Sequence, residues 1–358
     1  VYHALKRRPG TEGRLPKGSQ PFEQTAFRKS TLNESILNFA EAMNSPPLLL
    51  SFQNVDQYLE ALSPSDKVNF EDEIRKLLQK NLPPVVSVRS LGTLFGFSSE
   101  FLWAMYHRPD HYYRHFTIRK GRGKRRDIYA PRIALKIILS WFGSTLAPSL
   151  DLQPCVYGFV SGKSAIQAAR IHCGASWVFS TDIKDFFPST TKPVIVRSLM
   201  SIGYSEIGAN IISTLCCYNN GLAQGSPASP ALSNLVFSEA DKEMMRLAND
   251  FGIKYTRYAD DLVFSGNGKP PDEIEKKVQF IIEKYGWKIA DRKQILTCVP
   301  KQLKVHGLLV NGKTPRLTKN YRNQIRAYKY IEGKHGKKAN NYYKIKGHLS
   351  YAKSVEDM

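Results

Sequence analysis

The sequence predicts an α+β fold, and three observations carry that reading. Several stretches place apolar residues three and four apart, the period of an amphipathic helix. Between them lie short apolar runs bounded by turn residues, the pattern of β-hairpins. No internal repeat appears, and no run approaches the roughly 18 apolar residues that would cross a bilayer.

Taken in order, residues 1–30 are rich in Lys, Arg, Pro and Gly and read as a flexible basic arm. "NESILNFAEAMNS", "NVDQYLEALS" and "SDKVNFEDEIRKLLQKNLPP" carry helical spacing; Ser65 is the expected N-cap of the last and Pro83-Pro84 its stop. This part is locally acidic. "SVRSLGTLFGFSSEFLWAMYH" reads as two short helices joined at Gly96. Its second helix lacks polar residues that could read bases, so it is expected to pack rather than bind DNA. "HFTI" and "DIYA" flank the basic turn "RKGRGKRR", which predicts a hairpin with a cationic tip.

Helices are also expected over "PRIALKIILSWFGSTLAP", "PALSNLVFSEADKEMMRLANDFG" and "PPDEIEKKVQFIIEKYGWKI". "SWVFSTDIKDFFPST" is an apolar strand running into carboxylates and a Pro-bearing turn. "IKYTRYADDLVFSG" is a hairpin with paired acids at its turn. "LKVHGLLVNG" is a short hairpin with Asn311-Gly312 as its turn signal. From Lys313 to Lys353 there are twelve Lys or Arg and one acid, Glu332.

The net charge of +21 implies a polyanionic partner, because Lys and Arg release counterions from phosphates. A membrane partner fits less well, since no long amphipathic basic helix stands beside an anchor. Five cysteines without a CxxC, and no visible signal peptide, predict a reducing, cytoplasmic setting without zinc or disulfides. Cys216-Cys217, inside "IISTLCCY", are expected to be buried.

Three carboxylates stand out. Asp182 ends one apolar strand, and Asp260 and Asp261 lie at the turn of a hairpin. If the strands are neighbours, the carboxylates meet at one sheet edge and need a cation; hard oxygen ligands favour Mg²⁺. Two such ions roughly 3.5–4 Å apart suit phosphoryl transfer. A bare "ADD" is more often a hairpin tip, so the surroundings decide.

"FSTDIKDFF", "QGSPASPALSNLVF" and "YADD", in that order, resemble the palm of reverse transcriptases, most of all the bacterial retron type, over residues 87–353. The resemblance implies a right-hand polymerase fold of fingers, palm and thumb behind an N-terminal helical extension. The expected units are 1–85 for arm and extension, 86–178 for fingers, 179–299 for palm and 300–358 for a basic thumb. It implies RNA-directed DNA synthesis with two Mg²⁺ ions and dNTPs. Asp182 and Asp260 would be the main metal ligands, Asp261 an auxiliary ligand or a local electrostatic element, and Ile183 a carbonyl ligand. Phe187 would be the steric gate against ribonucleotides. Gln224 and Gly225 would meet the incoming nucleotide, and Lys120 and Arg126 would clamp its triphosphate. Lys293 is either a general acid for pyrophosphate or a surface lysine.

Retron enzymes carry an Asn-Ala-x-x-His pattern; here "AARIHCG" keeps His172 but has Ala168 in place of the Asn. Their Val-Thr-Gly becomes "VHG", with His306 in place of the Thr. His172 is either an RNA contact or a core histidine, and His306 is expected at the RNA. Arg322, Arg326 and Lys329 lie at helical spacing suited to a duplex minor groove. The resemblance further implies a cognate noncoding RNA, a branched RNA-linked DNA product, phage defence and an effector partner, with residues 1–85 as its docking surface. Oligomerisation is compatible. Alternatives are another defence-associated reverse transcriptase with an unbranched or protein-primed product, and a nucleic-acid-binding scaffold gating an effector. No second catalytic domain is expected.

Overall fold

Residues 52, 54–120, 124–290, 294–338 and 341–357 are described in a computed structural model of the chain. The expected arm over 1–30, the helix over 33–45 and Lys293 lie outside the described residues.

Two helices open the described chain: α1, Val55–Ala61, and α2, Pro64–Gln79. The cap of α2 is Ser63, not Ser65. The Ser63 hydroxyl accepts from Asp66 N at 3.1 Å, and Pro64 takes a first-turn position that needs no N–H. Tyr58, Leu59, Ile74 and Leu77 bury these helices in the main core. Their acids are partly neutralised nearby: Arg75 reaches Asp56 at 2.7 Å and Glu71 at 2.9 Å. The main core runs from Tyr58 to Ile289, across the expected boundary at 85/86.

Helices α3, Val88–Phe95, and α4, Ser99–His107, meet at Gly96, whose φ of 66° suits a residue without Cβ. Leu91, Leu94, Phe95, Leu102 and Met105 are buried, as a packing element requires. Strands β1, Tyr113–Lys120, and β2, Lys124–Pro131, form the expected antiparallel hairpin. There follow α5, Ile133–Leu146; α6, Ala165–Ile171; and β3, Trp177–Asp182. Next come the short α7, Phe186–Ser189; α8, Lys192–Ile202; and α9, Glu206–Cys216. A small hairpin, β4 (Cys217–Tyr218) and β5 (Gly221–Leu222), leads to the long α10, Ser229–Asp250. Cys216 and Cys217 are buried, as expected.

The central sheet pairs β6, Lys254–Tyr258, with β7, Asp261–Gly266; β7 with β3; and β3 with β8, Ile295–Cys298, all antiparallel. Helix α11, Ile274–Lys284, links β7 to β8. Side chains alternate along these strands. Phe179, Leu262 and Phe264 enter the main core, whereas Val178 and Val263 enter a second cluster. Both faces of the sheet are thus covered, which explains why its strands read as nearly continuous apolar runs. The expected boundary at 178/179 falls inside β3.

The second cluster packs Ile166 and Ala169 of α6 and the Val178 and Val263 face of the sheet against the C-terminal elements: β9, Lys304–Val305; β10, Leu308–Leu309; β11, Arg316–Leu317; α12, Lys319–His335; and α13, Tyr342–Glu356. The hairpin turn between β9 and β10 is His306-Gly307, with φ of 48° and 82°, not Asn311-Gly312. Asn311 bridges instead: its Oδ1 accepts from Leu303 N at 2.9 Å, and its Nδ2 donates to Lys301 O at 3.1 Å. Among the described residues no helix is long and apolar enough to cross a membrane.

Candidate active site

The acidic turn is a two-residue connection. Tyr258 pairs with Asp261, leaving Ala259 and Asp260 as the loop. Such loops need positive φ, and Ala259 sits at 58°. That conformation costs a residue with Cβ of order 1–3 kcal/mol and persists only when its surroundings hold it. Arg257 Nη1 donates to Ala259 O at 3.2 Å, and Ile183 N donates to Asp260 O at 3.0 Å. On the other side Gly158 lies against the turn, where a Cβ would overlap Ala259 N.

Across the sheet Asp182 is the register partner of Asp261, the last pair of the β3–β7 ladder. The antiparallel sheet therefore brings Asp182, Asp260 and Asp261 to one edge. All three residues are partly exposed. Their donor set, three carboxylates with the Ile183 backbone beside them, is made of the hard oxygens that suit Mg²⁺. Among the described residues no three carboxylate, imidazole or thiol side chains close on a common point, so the convergence is one of backbone register.

The hairpin β1–β2 docks on the loop that carries Gln224 and Gly225. Tyr129 N donates to Gln224 O at 2.8 Å. With its amide oriented to satisfy both neighbours, Gln224 accepts from Arg126 Nε at 3.3 Å and donates to Asp127 O at 3.3 Å. Two residues expected at one substrate are therefore in contact. Gly225 has a φ of 126°, and a Cβ there would come within 2.8 Å of Ile128 Cγ2 and 3.1 Å of Tyr129 O. The close approach of β2 thus requires a glycine at this position. Lys120 closes β1, and its side chain lies outside the description.

Phe187 is half-buried on α7, between Phe186 at 5.7 Å and Phe159 at 6.0 Å, ring centre to ring centre. Phe186 is the anchor, packed on Phe237 and Trp287. Phe159, with a φ of 62°, carries no sequence signal that would place it here.

The chain was compared with known proteins. The family model described as reverse transcriptase (RNA-dependent DNA polymerase) matches residues 118–310. The retron Ec86 reverse transcriptase of Escherichia coli is 31% identical over 284 residues, covering 78% of this chain and 88% of the relative. The chain belongs to the retron reverse transcriptase family. The retron Mx162 and Mx65 reverse transcriptases of Myxococcus xanthus are each 29% identical, over 74% and 70% of this chain; it spans 63% of each of them. Apo telomerase from Candida tropicalis superposes with a TM-score of 0.45 and 11% identity, over 68% of this chain and 56% of that one.

As a retron reverse transcriptase the chain carries an RNA-dependent DNA polymerase domain, of a kind that generally uses divalent metal ions. Of the two alternatives for His172, the structure shows the core histidine. His172 is fully buried: its Nδ1 lies 2.7 Å from Ser265 Oγ and its Nε2 2.7 Å from Thr256 Oγ1. It clamps β6 to β7 behind the acidic turn and has no surface for RNA. Burial, with lesser contributions from the charges of His306 and Lys254, pushes its pKa down to about 3. His306 also turns inward, its side chain 7% exposed, with Nδ1 3.6 Å from Asp261 Oδ2 and its ring 5.3 Å from that of Tyr258. Arg322, Arg326 and Lys329 are exposed along α12, whose Ile325 is buried.

The sequence reading passed over Arg257, Asp241 and Asn234, which hold the retron enzyme's acidic turn from within. Nothing local marks them; seven residues separate Asn234 from Asp241 along α10, the spacing of one helix face.

Proposed function

We propose that this chain copies a cognate structured noncoding RNA into single-stranded DNA, branched and linked to that RNA, as the polymerase of a retron anti-phage system with an effector partner. The fold is read as a right hand, with β1–β2 at the fingers, the four-stranded sheet as palm and residues from 300 onward as thumb. The observation that carries this reading is the pairing of Asp182 with Asp261, together with the Ile183 N–Asp260 O bond. Three carboxylates brought to one sheet edge support the reading of that edge as the meeting point of a primer hydroxyl and the α-phosphate of a dNTP.

Asp182, Asp260, Asp261 and the Ile183 carbonyl would hold two Mg²⁺ ions. Bound there, the ions would lower the pKa of the attacking hydroxyl and neutralise charge on the transferring phosphate. Arg126 would fork the triphosphate beside Lys120, with Gln224 fixing the guanidinium plane through Nε. Phe187 would bar a ribose 2′-OH. Lys293 would protonate pyrophosphate as it leaves. The exposed cations of α12 would follow the backbone of the template–primer duplex.

The test is made on nucleic acid that co-purifies with the protein from its host. A short single-stranded DNA joined to RNA through a 2′–5′ branch, and missing in Asp260→Asn, is the expected result. Unbranched or protein-linked DNA would move the chain to another defence class. RNA alone, unchanged in the variant, would make it a scaffold.

A further inference from the structure

The main core contains one fully buried ion pair among the described residues, and it lies directly beneath the acidic turn. Arg257 and Asp241 have side chains 0% and 1% exposed. Arg257 Nε and Nη2 donate to the two Asp241 oxygens at 2.9 and 2.6 Å, a bidentate fork. Its Nη1 donates to Asn234 Oδ1 at 3.1 Å and to Ala259 O at 3.2 Å. Tyr255 OH donates to Asp241 Oδ1 at 3.0 Å, and the Phe237 ring lies 4.7 Å from the guanidinium carbon. Asn234 Nδ2 in turn donates to Gly158 O at 3.1 Å, the glycine that abuts Ala259.

This pair is not explained by stability alone. Taking two charges out of water costs several kcal/mol each, and well-packed apolar residues of similar volume often replace such a pair without loss. What an apolar replacement cannot supply is the fork. Arg presents five donors in a fixed plane, and here they reach a carboxylate, an amide and a backbone carbonyl at once. The carbonyl belongs to Ala259, the residue held at positive φ. Asp241 and Asn234 stand on α10, the helix that begins at the "QGSPASP" loop carrying Gln224 and Gly225.

We infer that Arg257 is a positioning residue: it ties the Ala259-Asp260 turn to α10, so that the carboxylates and the Gln224–Arg126 contact are held in one frame. The inference rests on the reading of Asp182, Asp260 and Asp261 as the catalytic carboxylates. The hydrogen bonds of Arg257 named above go to Asp241, Asn234 and the Ala259 backbone. It acts by fixing the backbone from which Asp260 projects, and misplacement by about 1 Å can cost 100-fold in rate.

Two variants separate positioning from folding. Arg257→Lys keeps a cation for Asp241 but cannot reach Asn234 and Ala259 together. The triple variant Arg257→Met, Asp241→Leu, Tyr255→Phe removes the buried charges and the hydroxyl they leave behind, so no unpaired ion remains to unfold the core. Melting temperature, affinity for a primer–template duplex, and kcat and KM for dNTP incorporation are measured on the full chain. The expected result is two folded proteins with unchanged duplex affinity and dNTP KM, and kcat lower by roughly 10- to 100-fold. Full kcat in either folded variant would overturn the inference, as would activity falling only with the folded fraction. Asp260→Asn is assayed alongside. If it keeps DNA synthesis, the reading of the carboxylates fails; if it is inactive while Arg257→Lys is fully active, only the tether fails.

Discussion

Gly158 and Ala259 lie backbone to backbone: a single methyl group on Gly158 would overlap the amide nitrogen of Ala259. Gly158 follows Val156, which bridges Arg257 in parallel, and Tyr157 N donates to Arg257 O at 2.8 Å. The loop and the acidic turn are therefore one packed unit. Gly158→Ala must push the turn away, because the atoms its methyl would meet, Ala259 N and Tyr258 C, are backbone atoms that cannot swing aside. DNA synthesis is expected to fall by at least roughly tenfold, as for a site misplaced by a fraction of an ångström. Primer-extension rates on folded protein, checked by its melting temperature, decide this; an unchanged rate would show that the turn has room to move.

Phe187 stands half-buried between Phe186 and Phe159, five residues along the chain from Asp182. If its ring is the gate, Phe187→Val opens space for a 2′-OH while leaving the Phe186 anchor in place. The ratio of kcat/KM for dNTP over rNTP is expected to drop by about 10-fold or more, a change of at least roughly 1.4 kcal/mol in discrimination. Steady-state incorporation of matched dCTP and CTP opposite a template G measures it. An equal loss with both substrates would make Phe187 a core residue only.

How much of this was legible depends on how local each signal is. The paired acids, the strand ending at Asp182 and the joint at Gly96 are written in neighbouring residues, and the structure keeps them. The turn of the C-terminal hairpin was misread because Asn-Gly is a strong local signal. Here Asn311 spends its amide on Leu303 and Lys301, and His306 takes the left-handed position beside Tyr258 and Asp261. His172 was left open between core and RNA because its partners, Thr256 and Ser265, are 84 and 93 residues away. Arg257 was passed over for the same reason: a basic residue ahead of an acidic turn looks solvated until α10 is placed behind it.

The α12 cations make a salt-dependence prediction. Arg322, Arg326 and Lys329 are exposed, while Ile325 faces the second core. Each phosphate contact removed should lower the slope of log affinity against log salt by about 1. Neutralising all three, as Arg322→Gln, Arg326→Gln, Lys329→Gln, should flatten the slope for an RNA–DNA duplex by up to about 3 and leave the melting temperature alone. Fluorescence anisotropy across a salt series reads the slope directly. An unchanged slope would return these residues to a solvated face.

His172 makes a prediction about pH. In the folded chain its ring is neutral, both nitrogens engaged and the pKa pushed down to about 3, first by burial and then by the charges of His306 and Lys254. In the unfolded chain the same ring takes a proton near pH 6.5. Between those values the unfolded state binds more protons, so stability rises with pH there. Its contribution is fully present above about pH 6.5 and is lost progressively as pH falls toward 3, by roughly 1 kcal/mol per pH unit. Urea midpoints at pH 7.5 and 5.5 should therefore differ in the wild-type chain. In His172→Leu the midpoint at pH 7.5 should be lower, because Thr256 and Ser265 lose their partner, and the fall between the two pH values should shrink. An equal fall in both proteins would place the acid-sensitive group elsewhere and leave His172 as packing alone.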